Sequence, residues 1–287
     1  MRTEQQVLSQ LLAFAQAHDE IRAVVMNGSR VNPNAPKDLF CDYDVVYFSA
    51  DPGPFLKDQS WIPYFGNLVI LQQNDFDDRG HETFIFLMQF QDGVRIDLAF
   101  NHLDNLAYLT EDTLTVVLLD KDQRIPPLPP SSDAGYHVTR PTAKEFAEAT
   151  NEVFWCSTNV AKGIWRDELP YAKAMFDVIV RDCVLKLLAW YAAMHHGWGI
   201  GTGYFGKWLK KYLPGEVWKS YVKTYAGADY EEIWQALFET VRLTRKVGLE
   251  LAHELGYEYP LEDDRRTVAY LQQVRALPKD SMSFDWP

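Results

Sequence analysis

Asn27-Gly28-Ser29-Arg30 closes the apolar run Ile21-Arg22-Ala23-Val24-Val25-Met26, and Asp42-Tyr43-Asp44 opens the run Val45-Val46-Tyr47-Phe48. These two junctions decide how the chain folds. The first run has the composition of a buried strand, which Gly28-Ser29 ends in a tight turn. A turn without side-chain bulk lets backbone N–H groups approach an anion closely. Asp42 and Asp44 lead into the second strand, and residues i and i+2 share one strand face, about 6.5–7 Å apart. Two carboxylates so spaced can hold hard cations. A third acid, Asp97, alternates with Ile96 and Leu98 in Val94-Arg95-Ile96-Asp97-Leu98. Three strand-borne acids beside a phosphate-friendly turn point to metal-assisted phosphoryl or nucleotidyl transfer. Gly-Ser alone is usually just a turn, and Asp-x-Asp alone occurs in many calcium and sugar-nucleotide sites. The ordered set is specific, because isolated carboxylates are costly to bury in apolar strands.

Outward from these junctions, Leu8, Leu11, Leu12 and Ala15 recur at helical spacing and predict a helix over 3–17. Strands are expected at 21–26, 43–48, 68–72, 83–90, 93–100 and 115–119, with Gln91-Asp92-Gly93 turning one hairpin. This pattern gives an α+β domain with a mixed sheet over residues 1–135. Proline-rich Ile125 to Ser132 interrupts regular structure, with a crossover extending to about Pro141. An all-helical domain, 136–287, is expected after it. Thr142-Ala143-Lys144-Glu145 is a capping box for a helix reaching about Arg166. A long helix follows from about Glu168 to His196, with shorter ones at 204–212 and 215–223. Asp229 caps another that ends before Gly256, and a last one spans 263–276.

The net charge of −12 argues against a nucleic-acid partner, which normally wants a basic surface. An acidic cleft instead favours the arrival of a polycationic small molecule; simple solubility explains the same charge. Cys41, Cys156 and Cys183 form no paired framework and fit buried thiols in a reducing compartment. Neither a signal peptide nor a membrane span is visible, so a cytoplasmic location and no membrane partner are expected.

Asn27-Gly28-Ser29-Arg30-Val31-Asn32, Pro36-Lys37-Asp38, Phe40-Cys41-Asp42-Tyr43-Asp44-Val45-Val46-Tyr47-Phe48 and Phe65-Gly66-Asn67 resemble the aminoglycoside 6-adenylyltransferases. These are streptomycin-modifying enzymes of the nucleotidyltransferase superfamily. Leu118-Leu119-Asp120-Lys121-Asp122, Tyr136-His137-Val138, Asn151-Glu152, Trp155, Lys162-Gly163 and Gly206-Lys207 extend the likeness over nearly the whole chain. Gly28 to Phe48 is its most specific part. The match is loose from Tyr171 to Cys183 and slight after Arg266.

The resemblance implies transfer of AMP from ATP, with Mg2+, to a streptomycin hydroxyl, the 6-hydroxyl of streptidine, with release of pyrophosphate. It implies Asp42 and Asp44 as metal ligands, and Asp97 either as a further ligand or as the base for the attacking hydroxyl. Gly28 and Ser29 would cradle phosphates, with Arg30, Lys162 and Lys207 as candidate phosphate cations. Glu152 and Trp155, three apart on one helix, are candidates for holding a cationic acceptor, as is Asp182. The protein is expected to act as a monomer. Two rivals stay open: a glycosyltransferase using Asp-x-Asp, and a non-catalytic nucleotidyltransferase-like binding protein. The order Gly-Ser, Asp-x-Asp in an antiparallel setting argues against the first, and possession of all three acids against the second.

Overall fold

The structure, a computed structural model, describes residues 1–284. The chain divides into two compact units, Met1–Gly135 and Tyr136–Pro287.

The first unit opens with α1 (Glu4–Ala17), whose capping box joins Thr3 and Gln6 reciprocally. β1 (Ile21–Asn27), β2 (Tyr43–Ser49), the short α2 (Gly53–Lys57), β3 (Leu68–Asp78), β4 (His81–Phe90), β5 (Arg95–His102) and β6 (Val116–Asp120) follow. They form one sheet in the order β3-β4-β5-β2-β1-β6. β2 and β5 run parallel and the remaining neighbours antiparallel, which is the mixed sheet expected. β3 runs well beyond residue 72, the expected end of this strand. Its far half, Gln72–Asp77, is exposed and, apart from Phe76, polar, and shows no apolar alternation. Its pairing with β4 alone makes it a strand.

Alternation along the central strands sorts their side chains onto two faces. Val24, Met26, Val45, Tyr47, Ile96, Leu98 and Phe100 enter the core beneath α1, with Leu11 and Phe14. The buried Tyr47 hydroxyl donates to the Leu11 carbonyl at 2.7 Å. Ala23, Val25 and Phe48 face the other way, against Leu103, Leu106 and Leu109. Burial of each large apolar side chain contributes roughly 1.5–3 kcal/mol. The aromatic-rich core therefore makes the sheet a rigid platform. By the same alternation Asp44, Arg95 and Asp97 belong to the face away from α1.

The second unit is helical: α3 (Ala143–Trp165), α4 (Leu169–Ala174), α5 (Arg181–His195), α6 (Leu209–Tyr212), α7 (Gly215–Val222), α8 (Tyr230–Leu255) and α9 (Leu261–Ala276). Thr142 and Glu145 form the expected box at the start of α3. Gly256, at φ +72°, ends α8. The helix expected over 168–196 is not uniform, because a π-helical turn, Met175–Val180, joins α4 to α5. Just beyond it the buried Arg181 donates to the Thr224 carbonyl at 2.9 Å and stacks on Tyr225 at 3.9 Å. A wide turn of this kind shifts the helix phase by about one residue, a change periodicity alone does not reveal. Among the described residues no helix is long and apolar enough to cross a membrane.

Candidate active site

Strand pairing assembles the carboxylates. In the parallel pair β2–β5, Asp44 lies directly opposite Asp97, and in the antiparallel pair β1–β2, Asn27 lies opposite Asp44. The turn after β1 therefore lands beside both acids. Gly28 takes φ +75°, a conformation that L side chains rarely adopt. The Asp44 carboxylate fills the space where a side chain at position 28 would stand. Asn27 anchors the turn from below, its amide donating to Asp112 Oδ2 at 3.1 Å and Thr115 Oγ1 at 2.7 Å.

Asp42, Asp44 and Asp97 all act on one guanidinium, that of Arg95. Its guanidinium donates Nε to Asp97 Oδ1 at 2.8 Å and Nη2 to Asp97 Oδ2 at 2.7 Å, with Nε 3.6 Å from Asp42 Oδ2. Burial, then the nearby charges of Asp97 and Asp42, push the Asp44 carboxyl up to about 6, while Arg95 and Arg30 pull it back. The neighbouring acids thus disfavour a charge on Asp44. Its donors are all oxygen and anionic, and one of them, Asp44, is driven towards its neutral form by burial and by the others. That chemistry fits a hard divalent cation such as Mg2+. Nothing in Val94–Leu98 alone marks Arg95 as functional; its i, i+2 spacing from Asp97 is the sequence signal that the two share a strand face.

Around the turn, the Ser29 hydroxyl lies 3.3 Å from Cys41 Sγ, and the Ser29 carbonyl accepts from Lys37 Nζ at 2.6 Å. Lys37 also bonds the Arg30 carbonyl, so an ammonium group stands beside the Gly-Ser turn. Arg30, expected as a phosphate cation, is engaged elsewhere. Its guanidinium pairs with Glu4 at 3.0 Å, donates to the carbonyls of Asp42 and Cys41, and stacks on Tyr43 at 3.7 Å. It buttresses the loop that carries Asp42.

In the helical unit, Glu145, Glu148 and Glu152 recur at helical spacing along α3 and line a cavity of about 580 Å³ with Cys183, Lys186 and Trp190 of α5. That volume suits a small-molecule ligand. Glu152 was a sequence candidate; Glu145 and Glu148 were not, although their spacing marks the same face. Trp155 is exposed and not part of this lining, and the aromatic there is Trp190. Asp182 is also absent from it and pairs with Lys186 at 2.7 Å. Lys162 stands half-buried on α3 without an ion pair among the described residues. Lys207 is exposed, its ammonium 5.2 Å from the Trp208 ring. Burial pushes the thiols of Cys156 and Cys183 up to about 12 and about 11, so neither is a ready nucleophile.

The streptomycin adenylyltransferase family matches residues 1–274. The chain belongs to that family. It is 36% identical over 281 residues to an aminoglycoside 6-adenylyltransferase of Campylobacter jejuni, covering 96% of this chain and 97% of that one. A Bacillus subtilis (strain 168) enzyme of the same name is 34% identical over 270 residues, covering 92% of this chain and 95% of that one. A crystal structure of an aminoglycoside 6-adenyltransferase from Bacillus subtilis aligns over 96% of this chain and 100% of that one, at 29% identity and a TM-score of 0.49.

Proposed function

We propose that this protein adenylylates an aminoglycoside: it transfers AMP from ATP to a drug hydroxyl and so confers resistance. The observation that carries the reading is the placement of Asp44 opposite Asp97 beside the Gly28-Ser29 turn. Family membership supports the same reaction. In the finer reading the acceptor is streptomycin at the streptidine 6-hydroxyl, and pyrophosphate leaves.

Asp42 and Asp44 would hold Mg2+, which when bound neutralises phosphate charge and orients the nucleotide. The turn at Gly28 and Ser29 presents backbone N–H groups to the terminal phosphates. Lys37 stands beside that turn, and Lys162 and Lys207 are proposed as further phosphate cations. The acceptor oxygen attacks the α-phosphorus while the bond from that phosphorus to the bridging β-oxygen breaks. Asp97 takes the proton of the attacking hydroxyl. Arg95 holds the Asp97 carboxylate by one lone pair on each oxygen, leaving the others for the acceptor.

The glutamates on α3 support a polycationic acceptor, since guanidinium groups match carboxylates bidentately. Trp190 adds an aromatic surface for such a cation. The experiment is incubation with ATP, Mg2+ and either streptomycin or kanamycin, followed by mass spectrometry and NMR of the product. One added AMP on the streptidine ring is expected, with little change to kanamycin. AMP on kanamycin alone would overturn the acceptor, and absence of nucleotide transfer to either drug would overturn the function.

A further inference from the structure

Three successive carbonyls just past Gly28, those of Ser29, Arg30 and Val31, all have protein donors. Lys37 Nζ donates to the Ser29 carbonyl at 2.6 Å and also to the Arg30 carbonyl. The Asn32 N–H closes a turn onto the same Ser29 oxygen at 3.3 Å. The Ser131 hydroxyl donates to the Val31 carbonyl at 2.9 Å. The N–H groups of Arg30 and Val31, by contrast, donate to no protein acceptor among the described residues, although both residues are half-buried. Donors left in that state call for water or a ligand.

We propose, resting on adenylyl transfer as the reaction, that the N–H groups of Arg30 and Val31 bind the nucleotide's phosphates and that Lys37 aims them. A trans peptide points its carbonyl and its N–H in opposite directions. Two carbonyls drawn to one ammonium therefore turn the N–H groups of Arg30 and Val31 to the far side. Accepting a bond from a cation polarises each peptide and makes its N–H a stronger donor. Lys37 is thus a positioning residue, acting through the backbone and placing its charge behind the amides.

The same ammonium couples the phosphate turn to the metal-binding segment. After Lys37, Asp38 turns the chain back: its carboxylate accepts the Phe40 N–H at 2.8 Å and its carbonyl the Cys41 N–H at 3.3 Å. That turn delivers Cys41 beside the Ser29 hydroxyl, at 3.3 Å, with Asp42 next in the chain. The Arg30 side chain is committed to Glu4, Tyr43 and the carbonyls of Cys41 and Asp42, which leaves Lys37 as the cation behind the amides.

The test is proton–nitrogen NMR of the full chain titrated with pyrophosphate in Mg2+, beside steady-state kinetics with ATP and streptomycin. The Arg30 and Val31 amide protons should move downfield in wild type. Lys37→Met should remove those shifts, raise the KM for ATP at least tenfold and leave the KM for streptomycin unchanged. Lys37→Arg, whose guanidinium can reach both carbonyls, should restore most of the ATP affinity. Unmoved Arg30 and Val31 amides in wild type would overturn the proposal, as would an unchanged KM for ATP in Lys37→Met. If Lys37→Met fails to fold, the wild-type amide shifts decide alone. Unmoved amides with AMP transfer intact would sink only this role for the amides, whereas moved amides without transfer to any drug would sink only the reaction.

Discussion

A Cβ atom on Gly28 would stand 2.1 Å from Oδ2 of Asp44, so turn and carboxylate fit together only because residue 28 has no side chain. Gly28→Ala therefore forces the carboxylate out of place in addition to straining a backbone at φ +75°. Transfer should fall at least a hundredfold, with about 1–3 kcal/mol of stability lost. Steady-state kinetics and thermal unfolding check both; wild-type turnover would show that Asp44 works from another position.

Asp44 makes stability depend on pH in a predictable direction. Its carboxyl is pushed from 3.8 up to about 6, chiefly by burial. The fold thus favours the protonated form. That contribution is complete below pH 4 and is lost as pH rises through 6, at a cost of roughly 2–3 kcal/mol in the metal-free protein. Asp44→Asn should match wild type near pH 4, exceed it in stability at pH 7, and show almost no transfer. Added Mg2+ should close the stability gap for wild type at pH 7. A gap that is constant from pH 4 to 7 would contradict this.

Arg95 sets how strongly the acids repel one another. Because its charge pulls the Asp44 carboxyl down, Arg95→Met should raise the Asp44 titration midpoint above 6, and Asp97→Asn should lower it. Carbon-detected NMR of the aspartate carboxyls reads both shifts. Movement in the opposite sense in either variant would remove Arg95 as a counter-charge of the cluster.

Asp97→Asn also separates proton transfer from cation binding. Loss of transfer by several orders of magnitude is expected, with Mg2+-ATP affinity retained. Collapse of metal-linked nucleotide affinity in calorimetry would instead make Asp97 a ligand.

For the acceptor, Glu148→Gln combined with Glu152→Gln should raise the KM for streptomycin at least tenfold and leave the KM for ATP unchanged. Charge-assisted contacts are worth about 1.5–3 kcal/mol each. An unchanged KM would place the drug away from this cavity.

Much of the sheet was legible in the sequence, because Ile21–Met26, Val45–Phe48 and Ile96–Phe100 carry their burial in their composition. Asp44 stood out as a charge at the mouth of the second run and Asp97 as one inside the third. Their partner Arg95 did not, since an arginine near a strand end is ordinary until pairing shows what it faces. The polar half of β3 and the π turn at Met175–Val180 were invisible for a related reason. Each is fixed by a neighbouring element or by hydrogen-bond phase, neither of which leaves a periodic trace. Glu145 and Glu148 were hidden differently: acids on a helix are usually solvated, and only the facing α5 turns this row into a cavity wall.

The parallel pairing of β2 with β5 has a consequence for how the protein is made. A growing chain releases Asp42 and Asp44 early, but their strand waits for residues 50–94 before its parallel neighbour exists. Such long-range pairing is a late event in folding. When β5 docks, it brings Arg95 and Asp97 together, already able to pair two residues apart on one face. The third negative charge enters the cluster with its own counter-ion. Synthesis thus never has to bring a bare carboxylate into an acidic pocket, and the step that completes the site is close to electrically neutral.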